Sequence, residues 1–489
     1  MGKVYLIGVG PYDEELITLK ALRVLKKCDV VFYDRLINKN ILNYVRDDCK
    51  LYYCGKESGC HFKTQEEINE MLVRFAKEGY TVGRIKGGDP YVFGRGGEEA
   101  LRLYEEGIEF EVIPGITSAI AALNYGGIPI TYRKISQSFH VFTGRTENGL
   151  DYDWDVIAKL NGTIVFLMGL ENLNNIVTNL INNGMNKDKS CAVISNGTSA
   201  RQRVVLGKLE DICEKVKDQK ITSPAVIVIG DVVDFREYLN WYEKKPLFGK
   251  KICITRTKEQ AAEFKEKLFE LGADVVEVNS IKIKNTGYNL DRYIEILDKF
   301  DFILFTSVNG VEIFFKYLIN KRYDVRKLKA EFGCIGEKTG RALEERGIIP
   351  LLRAKEYVAE SLFDEVKQYL KPGHKVLIPR AKNARSFLKD SLLKEGAEVF
   401  EVPIYETIYC KMGREDIEDA DYFTFTSPST VKSFVTSYGV EVLKNKKVVA
   451  IGPITKEELI KYGIIVESAE KYTIDGIIDK ILRMEGYYV

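Results

Sequence analysis

The chain has 489 residues, 45% hydrophobic and 29% charged, a balance that fits roughly two to four folded domains and argues against long disordered tails. Lys and Arg number 72 against 71 Asp and Glu, so a net charge of +1 leaves no whole-protein signature for nucleic acid or a membrane surface. Nine cysteines, odd in number and scattered, fit reduced thiols better than a disulfide framework.

The opening MGKVYLIGVGPYDEE reads as a first strand and turn rather than a signal peptide, because Gly-Pro and acidic residues follow at once without a small-residue cleavage site. No apolar run approaches the roughly 20 residues of a membrane span, and the expected location is cytoplasmic. Short β-branched or aromatic runs then recur: VYLIGVG, VVFYD, TVGRI, FEVIP, HVFTG, TIVFLMG, CAVIS and AVIVIGDVV. They alternate with amphipathic stretches such as EEINEMLVRFAKEG, the rhythm of an α/β domain with mostly buried strands. Cys49, Cys54, Cys60 and His61 cluster in sequence but lack any C-x-x-C pair, so no metal site is expected.

Residues 84–100, RIKGGDPYVFGRGGEEA, place bare backbone directly after the strand YTVGRI. Neither this stretch nor LIGVGPYDEE continues to the Gly-Lys-Ser/Thr of a P-loop. Gly8-x-Gly10 runs on to Asp13 and Gly94-x-Gly96 to Glu99, where a dinucleotide turn needs a third glycine. A ligand approached by backbone at Gly87 and Gly88, with Asp89 in the middle, remains. A carboxylate suits ribose hydroxyls or an ammonium group and repels phosphate, which points to a nucleoside carrying an amino acid, such as S-adenosylmethionine. A glycine-rich turn with Asp89 as a helix N-cap is the alternative.

At LNWYEKKPLFGKKICITRT the composition changes, and the boundary falls at residues 241–249. Beyond it the chain repeats loosely. CITRTKEQA, ILFTSVNGVEIF and GCIGEKTGRAL are echoed by VLIPRAKNARSF, FTFTSPSTVKSF and VAIGPITKEEL. Each unit is a strand, a turn of hydroxyl residues or Gly, and a helix, which predicts two similar α/β lobes of about 100 to 130 residues each. Strand ends that pass into helices line one edge of a parallel sheet and attract anions. Thr306, Ser307, Thr426 and Ser427 are there either as ligand contacts or only as helix caps.

Residues 1–240 resemble uroporphyrinogen-III C-methyltransferase of the tetrapyrrole methylase family. The match lies in VYLIGVGP, LITLKALRVLKKCDVVFYDRLI, the GK of CGKES, QEEIN, RIKGGDPYVFGRGGEE, VIPGITSA, GIPIT, FLMGL and ISNGTSARQRVV followed by SPAVIVIGDVV. The resemblance implies two α/β lobes with S-adenosylmethionine between them, in a homodimer. Carried over by position, Pro11, Gly87, Gly88, Asp89, Val92, Thr117, Ser118, Met168, Gly197 and Ala225 would surround the methyl donor. Asp34 would accept and Lys56 donate protons. Without the resemblance, Asp34 reads as a strand-end carboxylate paired with Arg35. Tyr12, Glu14, Ser118 and Tyr132 depart from the family pattern.

Residues 250–489 resemble uroporphyrinogen-III synthase through ITRTKEQA, ILFTSVNGV, CIGEKT, PIYET, FTFTSPST and AIGPIT, in that family's order. The resemblance implies lobe one at 250–282 plus 406–489 and lobe two at 283–405, and a linear substrate, hydroxymethylbilane, rich in carboxylates. Arg256, Lys338, Arg380, Lys382 and Arg385 are candidate carboxylate binders, joined by Thr306, Ser307, Ser427 and Thr455 in the cleft. Tyr405 of PIYET matches a tyrosine that could protonate the departing hydroxyl, or is a buried hinge aromatic. A phenol is a weak acid, so its gain would sit near the low end of general acid catalysis, about 10²-fold.

The expected enzyme is bifunctional. It closes hydroxymethylbilane to uroporphyrinogen III with ring D inverted, then methylates it at C2 and C7 to precorrin-2. No metal, nucleic-acid or membrane partner is expected. The Lys56 loop and the synthase-like second half argue against a sister methylase acting on a later cobalt-corrin intermediate, while a methylase with a tetrapyrrole-binding regulatory module stays open as the alternative. The branch served, siroheme or cobalamin, is not specified.

Overall fold

The computed structural model describes residues 2–46, 48–55, 64–146, 149–255, 258–278, 282–354, 359–382, 386–408 and 417–487. Their strands build four sheets. The first holds β1 (Val4–Gly8), β2 (Val30–Tyr33), β3 (Lys50–Tyr53), β4 (Val82–Lys86) and β5 (Phe110–Ile113), in the order β3-β2-β4-β1-β5 and wholly parallel. The second holds β6 (Phe139–Thr143), β7 (Thr163–Leu167), β8 (Ser190–Ser195), β9 (Arg203–Lys208) and β10 (Ala225–Ile229), in the order β6-β7-β10-β8-β9. Only its β6–β7 pair is parallel.

The chain enters the third sheet with β11 (Lys251–Thr255) and β12 (Asp274–Glu277). It crosses to the fourth with β13 (Lys282–Asn285), β14 (Phe302–Phe305), β15 (Glu331–Ile335), β16 (Leu352–Ala354), β17 (Lys375–Ala381) and the long β18 (Glu398–Ile408). It returns to the third with β19 (Tyr422–Phe425), β20 (Lys447–Ala450) and β21 (Glu467–Ser468). The orders are β12-β11-β19-β20-β21 and β13-β18-β17-β14-β15-β16, and every pair is parallel except β13–β18. The fold is α/β with mostly parallel sheets, as the alternating pattern predicts.

Local chemistry explains the elements. Every residue of β7, β8 and β10 is buried, so TIVFL, SCAVIS and AVIVI read as unbroken apolar runs rather than alternating ones. The helix Gln65–Lys77 starts at a capping box, Thr64 with Glu67, and turns Ile68, Leu72, Phe75 and Ala76 into the core under the first sheet. The helix Ser118–Tyr125 joins the first two sheets. Its Ala119, Ala122 and Leu123 pack on Val165, Ile194 and Val226 of the second, while its N-cap Thr117 sits at the strand ends of the first.

Residues 241–249 are packed rather than slack. Tyr242, 5% exposed, meets the ring of Tyr125 edge-on at 4.7 Å, and Leu247 is sealed into the core formed by Ile252, Phe264 and Tyr422. Among the described residues no helix is long and apolar enough to cross a membrane.

Candidate active sites

The ends of β1, β4 and β5 crowd together, and glycine is what lets them. A Cβ on Gly115 would stand 2.2 Å from the Gly88 carbonyl oxygen, and one on Gly8 would stand 2.6 Å from the Gly115 nitrogen. Gly88 also takes a left-handed φ of +71°. Gly10 and Gly88 exchange backbone hydrogen bonds of 3.2 and 2.6 Å. Asp89 is not a helix N-cap, because the following helix, Gly96–Glu105, starts at Arg95. Its Oδ1 accepts the Tyr91 N–H at 2.8 Å and its Oδ2 the Gly115 N–H at 3.1 Å, so the carboxylate is fixed from two loops.

The other residues carried over for the methyl donor gather around this saddle. Thr117 caps the helix Ser118–Tyr125, its Cα 3.8 Å from where a Gly88 Cβ would lie. Gly197 is close enough to Ala122 that a Cβ would fall 2.6 Å from the alanine methyl. Beside it, Thr198 Oγ1 accepts the N–H groups of both Tyr12 and Asp13 at 3.1 Å, which ties the Pro11 loop to the second sheet. The register pairs Leu167 with Val226 and Ser195 with Ala225, so Met168, Ala225 and Gly197 share one edge of that sheet. Met168 is half exposed and holds a left-handed φ of +57°, a backbone that a methionine adopts only under local constraint. Val92 is partly exposed on the loop after Asp89.

A chain of charges that the sequence reading missed lies beneath the saddle. Asp34 pairs with Arg84 at 2.8 Å rather than with its exposed neighbour Arg35. Arg84 Nε and Lys86 Nζ both reach Glu99 Oε1, at 3.0 and 2.9 Å, and Gln65 donates to the same oxygen at 3.1 Å. Arg84, Lys86 and Glu99 are almost fully buried. Burial opposes the Arg84 charge, but Glu99 and Asp34 outweigh it and raise its pKa. Burial and the nearby Arg84 together lower that of Lys86. For Glu99, burial is overcome by Arg84 and Lys86, which lower its pKa. The available signal was RIK at the end of a fully buried strand, where two basic residues need a partner. Lys56, Cys60 and His61 lie outside the described residues.

In the second half, Tyr405 is 6% exposed on β18, and its Oη stands 2.7 Å from Ser307 Oγ. Ser307 stands two residues beyond the end of β14 and caps the helix Val308–Asn320, accepting the Gly310 N–H at 3.2 Å. Ser427 caps the helix Pro428–Tyr438, accepting the Thr430 N–H at 3.3 Å. Thr306 and Ser307 lie at the end of β14 and Lys338 just beyond the adjacent β15, so they share an edge of the fourth sheet. Ser427 and the buried Thr455 follow β19 and β20 on an edge of the third.

Arg380, expected to hold a substrate carboxylate, is turned inward. It is 7% exposed and ion-paired with Glu401. Lys382 pairs with Glu406 at 2.9 Å, while Lys338 is exposed. Arg256 and Arg385 lie outside the described residues. Among the described residues no group of three or more His, Cys, Asp or Glu is arranged to hold a metal ion.

A porphyrin biosynthesis protein HemD from Ruminiclostridium josui is 40% identical over 496 aligned residues, spanning 99% of this chain and 98% of that protein. This chain belongs to its family. The family model for tetrapyrrole (corrin/porphyrin) methylases matches residues 3–213, and that for uroporphyrinogen-III synthase HemD matches residues 262–479. A uroporphyrinogen-III C-methyltransferase from Methanocaldococcus jannaschii is 52% identical over 48% of this chain and 97% of its own length. A solved uroporphyrin-III C-methyl transferase from Thermus thermophilus, complexed with S-adenyl homocysteine, is 36% identical. That match covers 47% of this chain and 93% of the solved one, with a TM-score of 0.42. The glycine saddle therefore belongs to a methylase half and the Tyr405–Ser307 pair to a synthase half of one tetrapyrrole biosynthesis protein.

Proposed function

We propose that the synthase half, taken as residues 250–489, closes hydroxymethylbilane to uroporphyrinogen III. The methylase half, residues 1–240, then transfers two methyl groups from S-adenosylmethionine to C2 and C7, giving precorrin-2. It acts in the cytoplasm as a homodimer joined through the methylase half. The observation that carries the reading is the crossing of Gly8, Gly88 and Gly115 with Asp89 fixed above it.

That cradle suits the donor's nucleoside, since backbone lies bare on one side and a carboxylate stands ready for ribose hydroxyls or an ammonium group. The donor supplies an electrophilic sulfonium methyl when bound. The chain contributes placement, through Pro11, Gly87–Asp89, Val92, Thr117, Ser118, Met168, Gly197 and Ala225, and proton transfer, through Asp34 and Lys56. Arg84 holds the Asp34 carboxylate by a 2.8 Å ion pair, so the acceptor keeps one orientation. In the synthase half, Ser307 accepts the Gly310 N–H and can direct its own hydrogen to the Tyr405 oxygen. That arrangement leaves the phenol proton for the departing hydroxyl. Thr306, Lys338, Ser427 and Thr455, with Arg256 and Arg380, are assigned to the substrate's carboxylates; Arg380 must first release Glu401.

Calorimetric titration of the full chain with S-adenosylhomocysteine tests the donor site. The reading predicts binding that Asp89→Ala abolishes while uroporphyrinogen III formation continues. Binding that survives the substitution contradicts the assignment.

A further inference from the structure

The contact between the two halves falls on the loops of the proposed donor site. A helix and a strand of the synthase half, Lys258–Glu270 and β12, contribute to it beside an ion pair of Arg201 with Asp421 at 2.9 Å. Lys265, 8% exposed, forms an ion pair with Glu14 of the methylase half and another, at 2.6 Å, with Glu277 of β12. Glu14 is 2% exposed, lies three residues after Pro11, and its Oε2 has no hydrogen-bond partner among the described residues. Asp274 Oδ1 accepts the Ala200 N–H at 2.9 Å, three residues after Gly197. The Val275 carbonyl accepts Asn40 Nδ2 at 2.9 Å, on the segment that follows Asp34, where Asn38 also donates to the Tyr12 carbonyl at 3.0 Å.

Three segments of the methylase half are thus held from outside it, and each carries a residue assigned to methyl transfer. A buried carboxylate whose second oxygen is unsatisfied does not stay in place alone. Its position depends on the cation it faces. Here that cation comes from the other half, and Glu14 is one of the departures from the methylase pattern.

We infer that Lys265 of the synthase half is a positioning residue for the methyl-donor site, clamping the Pro11–Glu15 loop through Glu14 so that the methylase half depends on its fused partner for donor affinity. The inference rests on the donor-site reading above. It implies that the two halves were not merely strung together, because the synthase half completes the wall behind the donor loop.

The test uses the full chain and S-adenosylhomocysteine as the probe. Lys265→Met should raise the dissociation constant about tenfold, in the range typical of coupling between sites. At saturating donor the methylation rate should stay within about twofold, since the substitution touches none of the reacting groups. Lys265→Arg should restore most of the affinity. Lys267→Met, on the same helix but paired with Glu263 and Asp475 of the synthase half itself, should bind as the unaltered chain does. Uroporphyrinogen III formation should persist in all of them. If Lys265→Met fails to fold, the combined variant Glu14→Gln, Lys265→Met, Glu277→Gln removes the charges together and should show the same loss of affinity. A folded Lys265→Met or combined variant with unaltered affinity overturns the clamp. Absence of binding by the unaltered chain overturns the donor-site reading and the clamp with it.

Discussion

The phenol oxygen of Tyr405 stands 2.7 Å from the hydroxyl of Ser307, across 98 residues of sequence. The serine hydroxyl already caps a helix by accepting the Gly310 N–H, so its orientation is set by the fold. Tyr405→Phe should therefore slow ring closure by about 10- to 100-fold, the range of a modest general acid. Ser307→Ala, which removes the hydrogen bond to Tyr405 together with the helix cap on Gly310, should slow it about fivefold. Both should leave methyl transfer to added uroporphyrinogen III unchanged. Isomer-resolved product assays separate these outcomes, and an unaffected closure rate in Tyr405→Phe removes the tyrosine from the mechanism.

Gly115→Ala places a methyl group on the Gly88 carbonyl. Relief of such overpacking typically costs 1–3 kcal/mol. We expect S-adenosylhomocysteine affinity to fall about 10- to 100-fold, while the distant synthase reaction continues. Retained affinity would mean that the three strand ends have slack that the distances deny.

Glu99→Gln leaves Arg84 and Lys86 without the anion they share. Breaking a buried ion pair from one side costs about 3–5 kcal/mol, so a lowered urea midpoint should accompany a loss of methylation through Asp34. An unchanged midpoint would show that the cluster is not stabilising.

How far the sequence carries is clear from these residues. The saddle was legible because Gly87, Gly88 and Asp89 are adjacent in the chain, and local spacing alone excluded the nucleotide motifs. Burial of β7, β8 and β10 was legible for a similar reason, since continuous apolar runs announce it. The Asp34–Arg84–Glu99 chain was not, because its members come from the residue after β2, from β4 and from a helix, and nothing local marks them as partners. Arg380 read as an available cation because its neutralising Glu401 sits on the adjacent strand, a fact of register rather than of composition. Ser307 and Ser427 were legible as caps and Tyr405 as a candidate acid, but the contact between Ser307 and Tyr405 was not.

Asp274 gives the interface between the halves a pH dependence. Burial, reinforced by Asp13, raises its carboxyl to about 6, against the opposing Ala200 N–H, Lys251 and Arg201. A raised folded-state value means that the stabilising contribution is complete below the ordinary carboxylate range and is lost as pH rises through about 6. Asp274→Asn keeps an acceptor for Ala200 and removes the charge. Its melting temperature should exceed that of the unaltered chain at pH 8, and the gain should vanish near pH 4. A gain of equal size at both pH values would contradict the assignment.

The central claim, two consecutive activities on one chain, is tested most directly by incubating the purified protein with hydroxymethylbilane, with and without S-adenosylmethionine, and resolving products by isomer and by added methyl groups. The account predicts uroporphyrinogen III without the donor and its dimethylated product with it. Only the spontaneous type I isomer, methylated or not, would contradict it and leave the second half binding tetrapyrroles without closing them.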